Sequence, residues 1–199
     1  MNGKSRVAAH VKALPFSGIR KFLDIVAQRK DVISFGVGEP DFDAPRAVRD
    51  VAKTSLERGE THYTSNRGDP ELRRAISRYV ARQFGATYDP DTEILVTVGV
   101  SEAIDIALRA VVNPGDEVIY HEPCFVSYRP TIIMAGGVPV CVETRREDQF
   151  RLTRAMLEKA VTPKTRVLML NFPCNPTGAV LLQKDVEDGL ITREESQIC

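Results

Sequence analysis

Three short stretches of this chain carry residue types that could bind a phosphate and a flat aromatic ring. Gly99-Val100-Ser101 combines a glycine, which lets backbone approach a ligand closely, with a serine hydroxyl that can donate a hydrogen bond. Phe125 adds a flat face, and Asn171–Gly178 places the amide of Asn175 between turn-forming prolines. Ordinary strand-to-helix connections and Pro-rich turns have the same composition, so each stretch by itself is a weak signal.

Each of these stretches follows a short apolar run that predicts a buried strand. The predicted strands are 94–98, which is the clearest, 117–120, 138–142 and 167–170, and the predicted helices between them are 102–112, 126–135 and 152–161. This alternation predicts an α/β fold with a mostly parallel sheet covered by helices on both faces. Loops that follow parallel strands line one edge of a sheet, so the three stretches would meet there. A helix start at that edge would present unpaired N–H groups to an anion.

Upstream of residue 90 the pattern is mainly helical. An irregular arm over 1–15 is followed by predicted elements at 17–29 (helix), 32–35 (strand), Pro45 to about Gly59 (helix) and Asp69 to about Phe84 (helix). Two loops in this part carry residues of interest. Gly38 lies in the glycine- and proline-containing loop 36–42, and Tyr63 lies in the polar loop 61–68. The loop around Gly38 is also consistent with a plain connection, and an exposed tyrosine such as Tyr63 is by itself more often a surface residue than a ligand contact.

Composition excludes several classes of function. The 199 residues are 43% hydrophobic and 27% charged, which is typical of a folded domain, and the 27 basic residues balance the 27 acidic ones. A zero balance gives no reason to expect nucleic acid or an anionic membrane as partner. The four cysteines form no Cys-x-x-Cys pair and no set of metal ligands with the three histidines, so we expect no metal site. With no secretory signal at 1–14, we expect reduced thiols and a cytoplasmic protein, and we interpret the histidines as surface or turn residues.

Five motifs in order resemble the class I/II aminotransferases, the fold-type I pyridoxal-phosphate enzymes typified by aspartate aminotransferase. They are Gly-x-Gly-Glu-Pro-Asp-Phe from Gly36, Tyr-Thr-x-x-x-Gly-x-x-Glu-Leu-Arg from Tyr63, Thr-x-Gly-x-Ser-Glu-Ala from Thr97, Pro-x-Phe-x-x-Tyr from Pro123 and Asn-x-Pro-x-Asn-Pro-Thr-Gly from Asn171. The resemblance covers about residues 15 to 185. It implies a three-layer α/β/α large domain, present in part, over 46–188. An N-terminal arm and small-domain segment would occupy 1–45, and 189–199 would be an off-pattern tail.

The resemblance also implies a role for each candidate residue. Gly99, Val100 and Ser101 would hold the phosphate of pyridoxal 5'-phosphate, and Phe125 would stack on its pyridine ring. Asn175 would hydrogen-bond the ring hydroxyl oxygen and help to seat the substrate carboxylate.

Two further residues would act from the N-terminal part of the chain. Gly38 would present backbone to the substrate. Tyr63 would reach the cofactor phosphate of a partner subunit, so the resemblance implies a homodimer.

The catalytic residues of the family are missing from these 199 residues. Its chemistry uses a lysine that forms a Schiff base with the cofactor, in a Ser-x-x-Lys-type segment downstream of Asn-Pro-Thr-Gly, and no lysine here has that context. We therefore assign no catalytic residue. We expect an N-terminal portion of an aminotransferase that exchanges amino groups between amino acids and 2-oxo acids, incomplete unless a C-terminal half complements it. The alternatives are an inactive remnant or partner subunit of a split enzyme, and a lyase or decarboxylase of the same fold.

Overall fold

The computed structural model describes residues 6–14, 25, 31, 33, 38 and 40–187. The tail at 189–199, the predicted strand at 32–35 apart from Ile33 and the predicted helix at 17–29 apart from Ile25 lie outside these residues. The helices are α1 (Ala9–Lys12), α2 (Arg46–Glu57), α3 (Pro70–Phe84), α4 (Gly99–Val111), α5 (Tyr128–Met134), α6 (Arg154–Ala160) and α7 (Gln183–Glu187). The strands are β1 (Glu117–Glu122), β2 (Val138–Glu143) and β3 (Thr165–Met169), and Arg146–Asp148 forms a 3₁₀ turn.

The described residues fall into two compact units that divide between Val98 and Gly99. One contains residues 25, 31, 33, 38 and 40–98, with α2 and α3. The other contains 6–14 and 99–187, with the sheet and the remaining helices. The domain boundaries expected at 45/46 and 188/189 remain predictions. Among the described residues, no helix has both the length and the apolar character needed to cross a bilayer.

Local capping residues explain the helices of the first unit. Pro45 is the N-cap of α2. The Asp69 carboxylate accepts a hydrogen bond of 3.0 Å from the backbone N–H of Leu72, and Pro70 occupies the first turn of α3, where its missing N–H costs nothing. Gly85 ends the helix in the left-handed conformation at φ 69°. The helices predicted after Pro45 and Asp69 are confirmed.

The strand predicted at 94–98 was wrong. This segment forms no strand in the described part of the chain, and the sheet begins at Glu117. The backbone N–H of Val96 instead donates to the carbonyl of Arg67 at 3.0 Å, which places the segment against the turn at Gly68. An apolar, β-branched run has a high strand propensity, but it becomes a strand only where a neighbouring strand pairs with it.

The sheet confirms the predicted parallel arrangement. Within the described residues its strands lie in the order β2-β1-β3, all parallel, with Tyr120 opposite both Cys141 and Met169. Parallel neighbours need a crossover connection, which α5 supplies between β1 and β2, and α6 between β2 and β3. The carboxyl ends of the three strands therefore face one edge.

Two apolar clusters cover the two faces of this sheet. On one face Val118 and Tyr120 pack with residues of α4 and α5, including Leu108 and Ile132. On the other face Ile119 packs with Val142, Leu152 and Leu157, of which the last lies on α6. Because successive side chains of a strand point to opposite faces, β1 contributes alternately to both clusters. The unit is therefore a three-layer α/β/α arrangement, as predicted.

Helix α4 runs antiparallel to the strands, and this orientation decides where its first turn lies. The guanidinium of Arg166, at the start of β3, donates to the carbonyl of Val111 at 3.1 Å, so the end of α4 lies at the amino edge of the sheet. Thirteen residues span about 20 Å, similar to the length of a strand of five or six residues. Gly99 therefore lies toward the carboxyl edge.

Candidate functional site

The first turn of α4 forms a potential phosphate cradle. The helix was expected to begin at residue 102 but begins at Gly99, so Gly99, Val100 and Ser101 all belong to its first turn, and all are exposed. Gly99 has φ 75°, a conformation that glycine adopts without strain, and a Cβ there would meet nothing within 4 Å. The first N–H groups of a helix have no partners within it, and the helix dipole adds partial positive charge. This turn suits a phosphate group.

Phe125 lies in the loop that follows β1, at the same edge of the sheet. Its ring is half-buried and packs against the cluster that includes Tyr120 and Ile132, which also contacts Ile104 of α4. The ring makes an edge-to-face contact with Tyr128, with centroids 5.8 Å apart and an angle of 78° between the planes. These contacts hold Phe125 in place while part of the ring stays accessible to a ligand.

The stretch Asn171–Gly178 forms a tight turn after β3. The N–H of Gly178 donates to the carbonyl of Cys174 at 2.7 Å, and the N–H of Cys174 donates to the carbonyl of Ala179 at 2.8 Å. The Asn171 side chain accepts a hydrogen bond of 3.1 Å from the backbone N–H of Asn175. The Asn175 side chain is exposed, so a rigid backbone presents an accessible amide.

A thiol connects the loops after β1 and β3. The Cys174 Sγ donates to the carbonyl of Pro123 at 3.4 Å, which brings the Asn175 turn against the loop that carries Phe125.

Burial, and to a lesser degree the nearby Glu122 carboxylate, raises the pKa of Cys124 to about 12. Cys124 is therefore a neutral thiol at physiological pH and is unsuited to act as a nucleophile.

The remaining candidates lie elsewhere in the chain. Tyr63 is fully exposed and Gly38 is exposed, and both belong to the other compact unit. Their roles remain predictions. Lys164 immediately precedes β3 and Lys159 lies at the end of α6, so both are at the amino edge of the sheet, opposite the cradle. Neither is placed to act on a ligand held by Gly99–Ser101.

One buried residue at this edge contradicts its interpretation from the sequence. His121 was expected at the surface or in a turn, yet it is only 3% exposed because β1 continues through Glu122 rather than ending at Tyr120. Its ring stacks on Phe172, with centroids 4.9 Å apart and 9° between the planes. Its position two residues after the buried Ile119 was a usable signal, since alternate residues of a strand share a face.

Comparisons with known proteins identify the family of this chain. The family model described as "Aminotransferase class I and II" matches residues 30–194. The chain is 48% identical over 184 residues to "Putative aminotransferase YugH" of Bacillus subtilis, covering 92% of this chain and 48% of that protein. It is 50% identical over 172 residues to an aspartate aminotransferase of Pyrococcus abyssi, covering 86% and 44% respectively.

A solved structure gives the same result for the fold. The crystal structure of the aspartate aminotransferase from Rhizobium meliloti superposes with a TM-score of 0.88 at 36% identity, over 98% of this chain and 50% of that one. The chain spans about half the length of the curated relatives it matches.

Proposed function

Because the chain belongs to the aminotransferase class I and II family, we propose that it provides the phosphate-binding and ring-binding part of an aminotransferase. Members of this family depend on pyridoxal phosphate. The observation that carries the proposal is the start of α4 at Gly99, which directs a helix N-terminus toward the edge that also carries Phe125 and Asn175.

The donor set fits the cofactor. The N–H groups of Gly99, Val100 and Ser101 and the Ser101 hydroxyl would bind the phosphate, since they combine hydrogen-bond donors with the positive end of a helix. The accessible part of Phe125 would stack on the pyridine ring. The exposed amide of Asn175 would donate to the ring hydroxyl oxygen and assist the substrate carboxylate.

These residues bind and orient but do not move a proton. When bound, pyridoxal phosphate supplies an electron-withdrawing ring that stabilises negative charge on the substrate carbon. A general base near that carbon must carry the proton. No lysine of these 199 residues lies in the Ser-x-x-Lys context of the family, and Lys159 and Lys164 lie at the opposite edge of the sheet. We therefore infer that the 199-residue chain binds the cofactor without catalysing amino-group transfer by itself.

The substrates and partners follow from the same inference. An amino acid and a 2-oxo acid would be the substrates once the part that corresponds to the rest of the relatives' length is present. The fully exposed Tyr63 supports a homodimer in which this residue reaches the partner's phosphate. The free thiols of Cys124, Cys141 and Cys174 support a cytoplasmic location.

Titration with pyridoxamine 5'-phosphate tests the proposal. This analogue lacks the aldehyde that reacts with any surface lysine, so calorimetry on the full chain measures non-covalent binding alone. We expect saturable binding, about tenfold or more tighter than that of pyridoxamine, because charge-assisted hydrogen bonds to the phosphate are lost in the latter. Inorganic phosphate should compete. Equal affinity for the two compounds, or no binding of either, would refute the proposal.

A further inference from the structure

The buried His121 contacts the stretch that carries Asn175. It is the fifth residue of β1, and its ring is parallel to that of Phe172, the second residue of the Asn171–Gly178 stretch. Phe172 in turn packs against the apolar cluster of Ile119, Val142, Leu152 and Leu157. The contact between the two rings therefore joins β1, the central strand of the three, to the start of the Asn171–Gly178 turn.

From Phe172 the contact continues to Asn175 through the backbone. Asn171 precedes Phe172, and its side-chain oxygen accepts the N–H of Asn175 at 3.1 Å. The direction of Asn171 depends on the position of its neighbour Phe172, because the two residues share a peptide unit. A shift of the Phe172 ring would move the acceptor that holds the backbone N–H of Asn175.

The two ring nitrogens of His121 differ, because one hydrogen-bonds the Asn171 backbone and the other does not. Nε2 is buried and has no hydrogen-bond partner among the residues that the structure describes. Burial lowers the pKa of His121, and a hydrogen bond with the Asn171 backbone opposes that shift only in part. The imidazole is therefore neutral near pH 7. Its contact with Phe172 is the parallel, flat contact of two aromatic rings.

We propose that His121 is a positioning residue, whose flat ring holds Phe172 and thereby fixes the Asn171–Gly178 turn and the direction of Asn175. The consequence for cofactor binding rests on the function proposed above, whereas the effect on the turn does not. No proton transfer is assigned to this histidine.

Backbone amide exchange of the full chain, measured residue by residue, tests the effect on the turn. His121→Leu fills the buried space but removes the flat face, so the N–H groups of Asn175 and Gly178 should exchange about tenfold faster while those of β1 and β2 keep their rates. His121→Phe restores the flat face and should return both rates to those of the wild type. Leu157→Ala, in the apolar cluster against which Phe172 packs, is the control for a general loss of packing. It should not accelerate amide exchange in the turn more than in the rest of the unit.

Three results would overturn the proposal. Unchanged exchange in His121→Leu would show that the flat face is irrelevant. A turn as loose in His121→Phe as in His121→Leu would assign the effect to the ring nitrogens. If His121→Leu accelerates exchange equally in β1 and in the turn, His121 is an ordinary core residue with no specific effect on the turn.

Affinity for pyridoxamine 5'-phosphate provides the functional readout. It should fall severalfold in His121→Leu and recover in His121→Phe, and a His121→Leu variant that binds as tightly as the wild type would contradict the link to Asn175. If the wild type itself fails to bind, the proposed function fails, while the exchange rates still decide whether His121 positions the turn.

Discussion

Ser101→Asp should lower the affinity for pyridoxamine 5'-phosphate by about a hundredfold or more, because a carboxylate facing a phosphate costs several kcal/mol. The same substitution should leave α4 folded, since an acidic residue in the first turn of a helix interacts favourably with the helix dipole. Loss of binding would therefore not result from unfolding. Calorimetric titration measures the affinity, and circular dichroism checks the helix.

Ser101→Asn is the matched control, because asparagine has the shape of aspartate without its charge. It should lose the serine hydroxyl and bind about tenfold more weakly than the wild type. The difference between the two variants isolates the electrostatic effect and should shrink as salt is added. If Ser101→Asp and Ser101→Asn bind pyridoxamine 5'-phosphate with equal affinity, the phosphate does not lie at the first turn of α4.

Gly68→Ala should destabilise the unit that contains 40–98 by about 3 kcal/mol, combining backbone strain with overpacking. Gly68 has φ 93°, and a Cβ there would lie 2.5 Å from the Cβ of Val96. Backbone-attached atoms cannot move aside as the end of a long side chain can. Urea unfolding followed by circular dichroism would show the midpoint at a lower concentration.

Gly59→Ala separates the two causes. Gly59 has φ 73° but a Cβ there would meet nothing within 4 Å, so the substitution should cost only about 1 kcal/mol from the strained backbone. If both alanine variants unfold at the same urea concentration, the close approach of Gly68 to Val96 makes no contribution. This contact also explains in physical terms why a glycine occupies that place in the Tyr63 motif.

Local signals predicted much of this fold. Asp69 and Pro70 determine where α3 begins through a side-chain hydrogen bond and a fixed φ, and both effects act within one turn of helix. The alternation of apolar runs with helical patterns predicted the parallel β1, β2 and β3. Such features depend on neighbours in sequence, so they are visible without coordinates.

Features that depend on distant partners were not predictable in the same way. The 94–98 run has strand propensity, yet its Val96 N–H binds the Arg67 carbonyl, nearly thirty residues earlier in the chain. The contact between Cys174 and Pro123 joins loops that follow different strands. The partner of His121 was hidden in the same way, because Phe172, which covers its ring, follows a different strand.

The most direct test of the central claim is to incubate the full chain with pyridoxal 5'-phosphate, reduce with borohydride, map the label by mass spectrometry, and assay amino-group exchange with amino acids and 2-oxo acids. We expect binding through the Gly99–Ser101 turn, label scattered at low occupancy over exposed lysines, and no turnover. Stoichiometric label on one lysine, blocked by pyridoxamine 5'-phosphate and accompanied by turnover, would contradict the account.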